Sequence, residues 1–532
     1  MSLLSAPWSL LPSGTFLTML VLFFTVFALF YDFMKRRRSC SRYPPGPTSL
    51  PFLGNILQAD FKNLPKYFAQ VRKNYGDVFS LQFCWKNMVI ISGFESVKEG
   101  LITKSDDTSD RPHFLIFERH GLKENCAGVV LAKYGQSWRD VRRFSLSTLR
   151  DFGLGKKSLA ERVTEEAGFL CSAFKSKDGR PFDPHLMINN AVSNVICSII
   201  FGDRFEYDDK NFLKVLKLFE DILTSDVLLQ LANVIPALVH IPGVGQKMFR
   251  AQENLFDFLK GIIAEHKESW DPNLKRDFID AFLEEVEKAK GDPQSSFNDL
   301  NLLFTVSDMF SAGTETTSTT LRYGLLYMML YPGIQRGVQE EIDRVIGRER
   351  KPMMDDRANM PYTNAVIHEI QRYADIIPLS VPHMTSRDTE VNGFFIPKGT
   401  TLMFNLSSVL KDESIWARPY QFYPEHFLDA DGQFIKREAF LPFSAGRRVC
   451  LGEQLARMEL FLFFTTFLQQ FTFFIPRDQP RPTEETLMGT IRAPMPYQLC
   501  AEQLHAADIY KAKVIAFGVI CIIDFYTLPL LP

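Results

Sequence analysis

The sequence predicts a mostly α-helical α+β fold: a large helical part and a small β-rich part, behind an N-terminal transmembrane helix. Three observations predict it. Helical periodicity dominates residues 155–373, punctuated at Arg180-Pro181, Ile241-Pro242-Gly243 and Gly291-Asp292-Pro293. Short β-like runs occur on either side of that stretch. With 532 residues, 46% of them apolar, the chain has material for a large core and is too long for one minimal domain.

In chain order, residues 10–33 are nearly all apolar, with Asp32 the one charge, and Lys35-Arg36-Arg37-Arg38 follow. A bilayer core needs about 20 helical residues, which this stretch supplies. No convincing small-residue cleavage site follows it, so 1–34 reads as a retained signal anchor rather than a removed signal peptide. The basic cluster then places the body in the cytosol. Residues 35–50 form a basic and Pro-rich linker, because Tyr43-Pro44-Pro45-Gly46-Pro47 cannot propagate helix. Residues 51–501 form the main domain. Within it, 61–75 is helix-like, and 78–83 with 88–92 suggest a hairpin bounded by Gly76 and Gly93. Residues 297–330 predict a long helix, free of proline until Pro332. Residues 391–396 and 400–404, split by Pro397-Lys398-Gly399, predict a second β region, and 451–468 a late helix. The tail, 502–532, is apolar over 514–523, but Asp524 and Pro529 interrupt it, so a complete second membrane span is not expected.

A net charge of −2 gives no reason to expect a nucleic-acid partner. The eight cysteines are scattered without paired spacing, which argues against a disulfide framework and for a reducing compartment. The 48 phenylalanines suit either a bulky apolar cavity or plain core packing.

One cysteine stands apart. Cys450 lies in Phe443-Ser-Ala-Gly446-Arg-Arg448-Val-Cys450-Leu-Gly452, just before the late helix. Helix-terminal amides and nearby arginine charge favour an ionised, metal-ligating sulfur and are expected to lower its pKa. Gly446 and Gly452 let the backbone approach a large planar cofactor, and Phe443 can shield one side of the sulfur. Arg448 supplies a charge suited to an acid group. A buried free cysteine at a helix start is the plainer reading of a lone Cys.

The spacing Phe443-x-x-Gly446-x-Arg448-x-Cys450-x-Gly452 resembles the haem-binding signature of the cytochromes P-450. Glu369-Ile-Gln-Arg372 resembles that family's Glu-x-x-Arg pair, and Ala312-Gly313-Thr314-Glu315-Thr316-Thr317 its oxygen-binding helix motif. Trp138-x-x-x-Arg142 resembles its propionate-binding helix, and 43–47 its hinge after the anchor. The resemblance runs from about Tyr43 to Ala501. It implies a haem b whose iron takes Cys450 as axial ligand, a monooxygenase reaction on O2, and a triangular fold with haem between the two parts. It also implies an endoplasmic-reticulum location, with electrons from NADPH through a cytochrome P-450 reductase and cytochrome b5 as a further candidate donor.

The resemblance also assigns roles. Thr316 holds the water that protonates bound oxygen, and Glu315 is the acid beside it. Asp308, Ala312 and Thr316 recur every fourth residue on one helix face, and Thr316 can bond back to the Ala312 carbonyl. Arg448 and Arg142, then Arg111 and His383, are the cationic or partly cationic candidates for the two propionates, with Trp138 an added indole donor. Arg139, Arg143 and Arg447 suit a basic docking face for an acidic electron donor. Glu369 and Arg372 are structural, with His426 standing where the family has a third-partner arginine, a weaker and pH-sensitive substitute.

Leu154-Gly-Lys-Lys-Ser158, Arg204-Phe-Glu-Tyr-Asp-Asp209, Phe297-Asn-Asp299 and His383-Met-Thr-Ser-Arg-Asp388 look like family 2, nearest subfamily D. That likeness implies lipophilic substrates, basic amines among them, drawn to carboxylates at Asp308 and Asp221. Val130 and Thr490 stand where the best-known relative has pocket phenylalanines, which implies a roomier cavity. Two other readings remain at this stage: a haem-binding membrane protein made inactive by its tail, and a peroxide-rearranging isomerase, against which Thr316 and Glu315 argue.

Overall fold

The computed structural model describes residues 13–37, 42–84, 86–114, 127–153, 157–223, 241, 243, 246–489 and 491–504, with the side chains of 13–16, 32–37 and 219–223 outside that description. Its longer helices are Ser13–Arg37 (α1), Leu64–Tyr75 (α2), Gln136–Asp151 (α3), Lys157–Lys175 (α4), His185–Ile200 (α5) and Lys210–Leu223 (α6). Then follow Gln246–Glu268 (α7), Phe278–Lys288 (α8), Asp299–Leu330 (α9), Pro332–Val345 (α10), Pro361–Ala374 (α11) and Glu453–Gln470 (α12). Strands are few and short. Val78–Phe83 (β1), Lys86–Ile91 (β2), His383–Met384 (β3), Thr389–Val391 (β4), Phe394–Ile396 (β5) and Thr401–Phe404 (β6) form the β-rich part. Phe471–Phe474 (β7), Thr486–Leu487 (β8), Ala493–Pro494 (β9) and Cys500–Gln503 (β10) close the chain.

The main sheet runs in the order β1-β2-β6-β3. β1 and β2 are the expected hairpin, antiparallel from Val78 opposite Ile91 to Phe83 opposite Lys86. β6 joins β2 in parallel, and β3 adds antiparallel at the edge. The second β region divides differently from the expectation. Asn392 (φ 50°) and Gly393 (φ 76°) turn the chain inside 391–396, so that β4 and β5 pair as a separate hairpin. The left-handed backbone there is signalled by Asn-Gly, a strong hairpin dipeptide.

The long helix starts one residue later than its capping signal. Asn298 is the N-cap, its side chain accepting the Asn301 N–H at 2.9 Å. From 317 to 330 α9 is buried on every side, and the helix packs against α5, α12 and α11. Phenylalanine fills this core: Phe174 meets Phe467, Phe471 and Phe473 at 5.6, 6.1 and 6.3 Å. Phe144 packs edge-on against Phe278, Phe282 and Phe297 at 5.3–5.6 Å. Each such ring contributes roughly 1.5–3 kcal/mol by leaving water, so many of the aromatics serve packing.

α1 covers the predicted apolar segment and exposes large side chains around it, among them Leu17, Leu22, Phe23, Phe24 and Phe27. Among the described residues no helix is long and apolar enough to cross a membrane. Residues 505–532 of the tail lie outside the described residues.

Candidate functional site

The Cys450 loop is shaped by main-chain contacts. Cys450 N–H donates to the Phe443 carbonyl at 3.0 Å, and Val449 N–H to the Gly446 carbonyl at 3.1 Å. Gly446 has φ +72°, and a Cβ there would sit 1.8 Å from the Leu101 carbonyl oxygen. The glycine is therefore required by a close backbone approach, a reason different from the expected cofactor contact. Phe443 carries the Arg457 guanidinium 5.0 Å above its ring. Cys450 remains accessible. Its pKa corrects the expectation of a lowered value: burial pushes it up, outweighing the Gly452 and Glu453 amides and the Arg142 charge, which pull it down. The residue keeps an open side, yet the atoms crowded against the sulfur favour the neutral thiol, and a bound metal cation is what would ionise it.

Around this loop the fold gathers positive charge. Arg448 is buried and donates to the carbonyls of Ser109 (2.9 Å), Val129 (3.2 Å) and Ala132 (2.6 Å). Its guanidinium lies 4.2 Å from the Trp138 ring, and Trp138 Nε1 also donates to the Val129 carbonyl, at 3.0 Å. Arg142 reaches the Val449 carbonyl at 2.5 Å, beside the cysteine. Arg111 is buried and donates to Val130, Val381 and Pro382 carbonyls at 2.7–3.0 Å. Burial first, then repulsion from Arg448 and Arg142, lowers the Arg111 pKa against the pull of Asp110. His383 Nδ1 lies 2.8 Å from the Thr108 carbonyl, which makes it the protonated nitrogen. Burial and then Arg111 hold the His383 pKa well below its usual value. That shift favours the neutral ring, which can still donate a hydrogen bond. Arg448, Arg142 and Arg111 all turn guanidinium N–H groups to backbone carbonyls, which gathers positive charge beside Cys450 and suits an anionic ligand.

The long helix opens where the core around it ends. Asp308 and Thr316 are half-buried and Ala312 is exposed, on a helix otherwise largely enclosed. Thr316 Oγ1 donates to the Ala312 carbonyl at 2.8 Å, as the spacing predicts. Glu315 is buried on another face and accepts from Thr319 Oγ1 at 3.2 Å. Asp308 Oδ2 accepts the N–H groups of Val129 and Val130 at 2.7 and 2.9 Å. The Val129 carbonyl, in turn, receives Trp138 and Arg448. A single residue therefore couples the open face of α9 to the cationic cluster beside Cys450. The signal for it was absent from side-chain reading, because Val129 acts through its backbone. Burial pushes the Asp308 pKa up to about 6, against the two amide hydrogen bonds.

The family's sequence model, described as Cytochrome P450, matches residues 44–501. The chain belongs to the cytochrome P450 family. It is 55% identical over 484 residues to Cytochrome P450 2D28 of Mesocricetus auratus, covering 90% of this chain and 97% of that relative. It is 55% identical over 481 residues to Cytochrome P450 2D15 of Canis lupus familiaris (90% and 96%), and 56% identical over 480 residues to Cytochrome P450 2D6 of Homo sapiens (90% and 97%). These relatives support family 2, subfamily D. The chain is a cytochrome P450 monooxygenase, and its cofactor is haem b. The residues present fit that group: an accessible thiol at a helix start, three gathered guanidiniums suited to two carboxylates, and an exposed Ala312 on α9.

In this P450 the Glu369–Arg372 pair is fully buried, with two contacts of 2.7 Å. Arg372 also donates to the Leu410 and Pro419 carbonyls at 2.7 and 2.9 Å. His426 Nδ1 meets Glu369 Oε2 at 3.2 Å, while its Nε2 accepts the Arg418 N–H at 3.1 Å. The backbone donor fixes the tautomer, so His426 enters the cluster as a neutral donor. Thr490 lies outside the described residues, and Asp221 lies on α6 with its side chain outside them. Val130 sits in the loop held by Asp308.

Proposed function

We propose that this P450 is a microsomal monooxygenase of lipophilic small molecules, including xenobiotics and basic amines, fed from NADPH by cytochrome P-450 reductase. Cytochrome b5 is a further candidate donor, and fatty acids or steroids are further candidate substrates. The carrying observation is the open α9 face, where Asp308, Ala312 and Thr316 border space on a largely enclosed helix. Asp308 Oδ1 has no hydrogen-bond partner among the described residues, so its charge is available to a bound ammonium.

Cys450 would hold the haem iron through its sulfur, with Phe443 shielding one side of that sulfur and Gly446 letting the loop take its shape. Arg448, Arg142, Arg111, Trp138 and His383 would hold the propionates. Bound there, haem b supplies the activation of O2, favoured by a thiolate ligand. The chain's own part is positional. Thr316, rotated from the Ala312 carbonyl, can hold a water at its hydroxyl and pass a proton inward, with Glu315 behind it as the acid. Asp308 orients a cationic substrate, with Ala312, Val130, Asp221 and Thr490 as further pocket contacts. Arg139 and Arg143 are exposed beside half-exposed Arg447 and suit an acidic donor protein.

We place the chain in the endoplasmic-reticulum membrane by residues 1–34, with the catalytic body cytosolic. The apolar side chains that α1 exposes support this, since lipid would remove them from water. The test is a reduced carbon-monoxide difference spectrum on membranes, followed by NADPH-driven turnover with reductase. Thiolate-type absorbance with turnover is expected. The same absorbance without turnover sinks the reading and leaves a haem-binding protein that does not turn over.

A further inference from the structure

Glu459 is a buried acid that the proposed chemistry leaves unused. It lies on α12, which begins three residues after Cys450, and is 1% exposed. Its Oε1 has no hydrogen-bond partner. Met458, Leu460 and Phe461 beside it are all buried, and among the described residues the hydroxyl of Thr317 on α9 is the one polar group acting on its carboxyl, with no cation to compensate it. An ionised carboxylate in such a place is far costlier than the acid. Burial accordingly drives its pKa up to about 8, with Thr317 pulling the other way.

Thr317 is buried and directly follows Glu315 and Thr316. The Thr316 carbonyl meanwhile accepts Thr320 Oγ1 at 2.8 Å, so this turn is held by side chains on more than one face. α12 packs against α9, and Glu459 sits buried in that packing close enough to Thr317 for the hydroxyl to act on its carboxyl. We propose that Glu459 is a positioning residue of the oxygen site: as a neutral acid paired with Thr317, it holds α12 against the turn of α9 that carries Thr316. Ionising it places an unpaired charge between the two helices, which water entry or a shift of that turn must relieve. The functional consequence rests on the role given to Thr316 above; the protonation and the helix contact do not.

Three measurements on the full-length, haem-loaded protein test this. Infrared difference spectra, titrated from about pH 6 to about pH 10, should contain a protonated-carboxyl stretch that disappears near pH 8 and is missing in Glu459→Gln. Thermal stability should carry a defined sign. The folded chain keeps a proton that the unfolded chain loses in the ordinary glutamate range, so wild type loses stability as pH rises from there to about 8 and is level above. Glu459→Gln removes that loss, so its Tm advantage grows through the same window. Finally, peroxide released per NADPH should climb above pH 8 in wild type and stay flat in Glu459→Gln. Thr317→Val, which keeps the buried volume, should shift the infrared band and raise the peroxide leak already at neutral pH. A missing carboxyl band, or a Tm difference independent of pH, overturns the neutral acid. A peroxide leak unchanged in both variants overturns the positioning role. If Thr316 itself proves inert, the infrared and Tm results still stand, so the two failures are distinguishable.

Discussion

Asp308 has two tasks for one carboxylate, and its titration separates them. Oδ2 holds the 129–130 backbone, which reaches the cationic cluster, while Oδ1 remains for a ligand. Because burial raises the pKa to about 6, the group is neutral below that value and charged above it. Amine affinity should therefore weaken as pH falls through about 6, whereas affinity for an uncharged ligand should not. Ligand-induced haem absorbance, titrated at several pH values, measures this. Asp308→Asn should weaken amine binding by about tenfold, or ~1.4 kcal/mol. It also replaces an acceptor for two backbone amides, so an intact carbon-monoxide spectrum is needed before its loss is read as substrate contact. At this scale the sequence was legible where side chains cluster locally. Cys450 and Arg448 stand in one decapeptide, but the need for Gly446 comes from Leu101, far away in sequence, and Val129 acts through main-chain atoms that no motif records. The burial of His383, which favours its neutral form, is likewise invisible in the sequence.

At the scale of elements, α9 and α11 divide the work between reaction and rigidity. On α9, Thr316→Val removes the hydroxyl with little change of volume. Turnover should fall by up to on the order of 10²-fold, with more peroxide per NADPH and unchanged Tm. A matched fall in Tm would instead assign Thr316 to helix stability. On α11, Arg372→Leu leaves Glu369 buried at 0% exposure beside a neutral His426. An unpaired buried charge costs on the order of 3–5 kcal/mol, a large part of a typical stability margin. Loss of soluble, haem-loaded protein is the expected outcome, seen as reduced yield and a lower Tm. Periodicity located α9 because it is long and capped by Asn298, whereas α11, opened by Pro361, was legible only as part of the helical stretch 155–373. The β4–β5 hairpin was blurred because three-residue strands carry too few residues for an alternation to register.

For the whole molecule, the question is where the fold ends. β10 pairs with β7 from Cys500 opposite Phe474 to Gln503 opposite Phe471, and Leu504 N–H donates to the Gln470 carbonyl at 2.9 Å. Phe182 and Leu499 exchange backbone hydrogen bonds of 3.0 and 2.9 Å, tying the same segment to the turn before α5. Leu499 is fully buried, and Cys500 and Ala501 nearly so. Ending the chain after Leu504 keeps all of these contacts, whereas ending it after Gln498 removes them. The shorter cut forfeits roughly 1.5–3 kcal/mol for the leucine alone, together with the strand pairing, and should lower Tm by several degrees or abolish folding. The longer chain, ending at Leu504, should match full length in Tm and in its carbon-monoxide spectrum. Turnover decides what residues 505–532 do. Equal rates make the tail dispensable for chemistry, and a several-fold gain on its removal makes it an inhibitor of an otherwise competent site. Among the described residues the sheet closes at Leu504, and that closure favours equal rates.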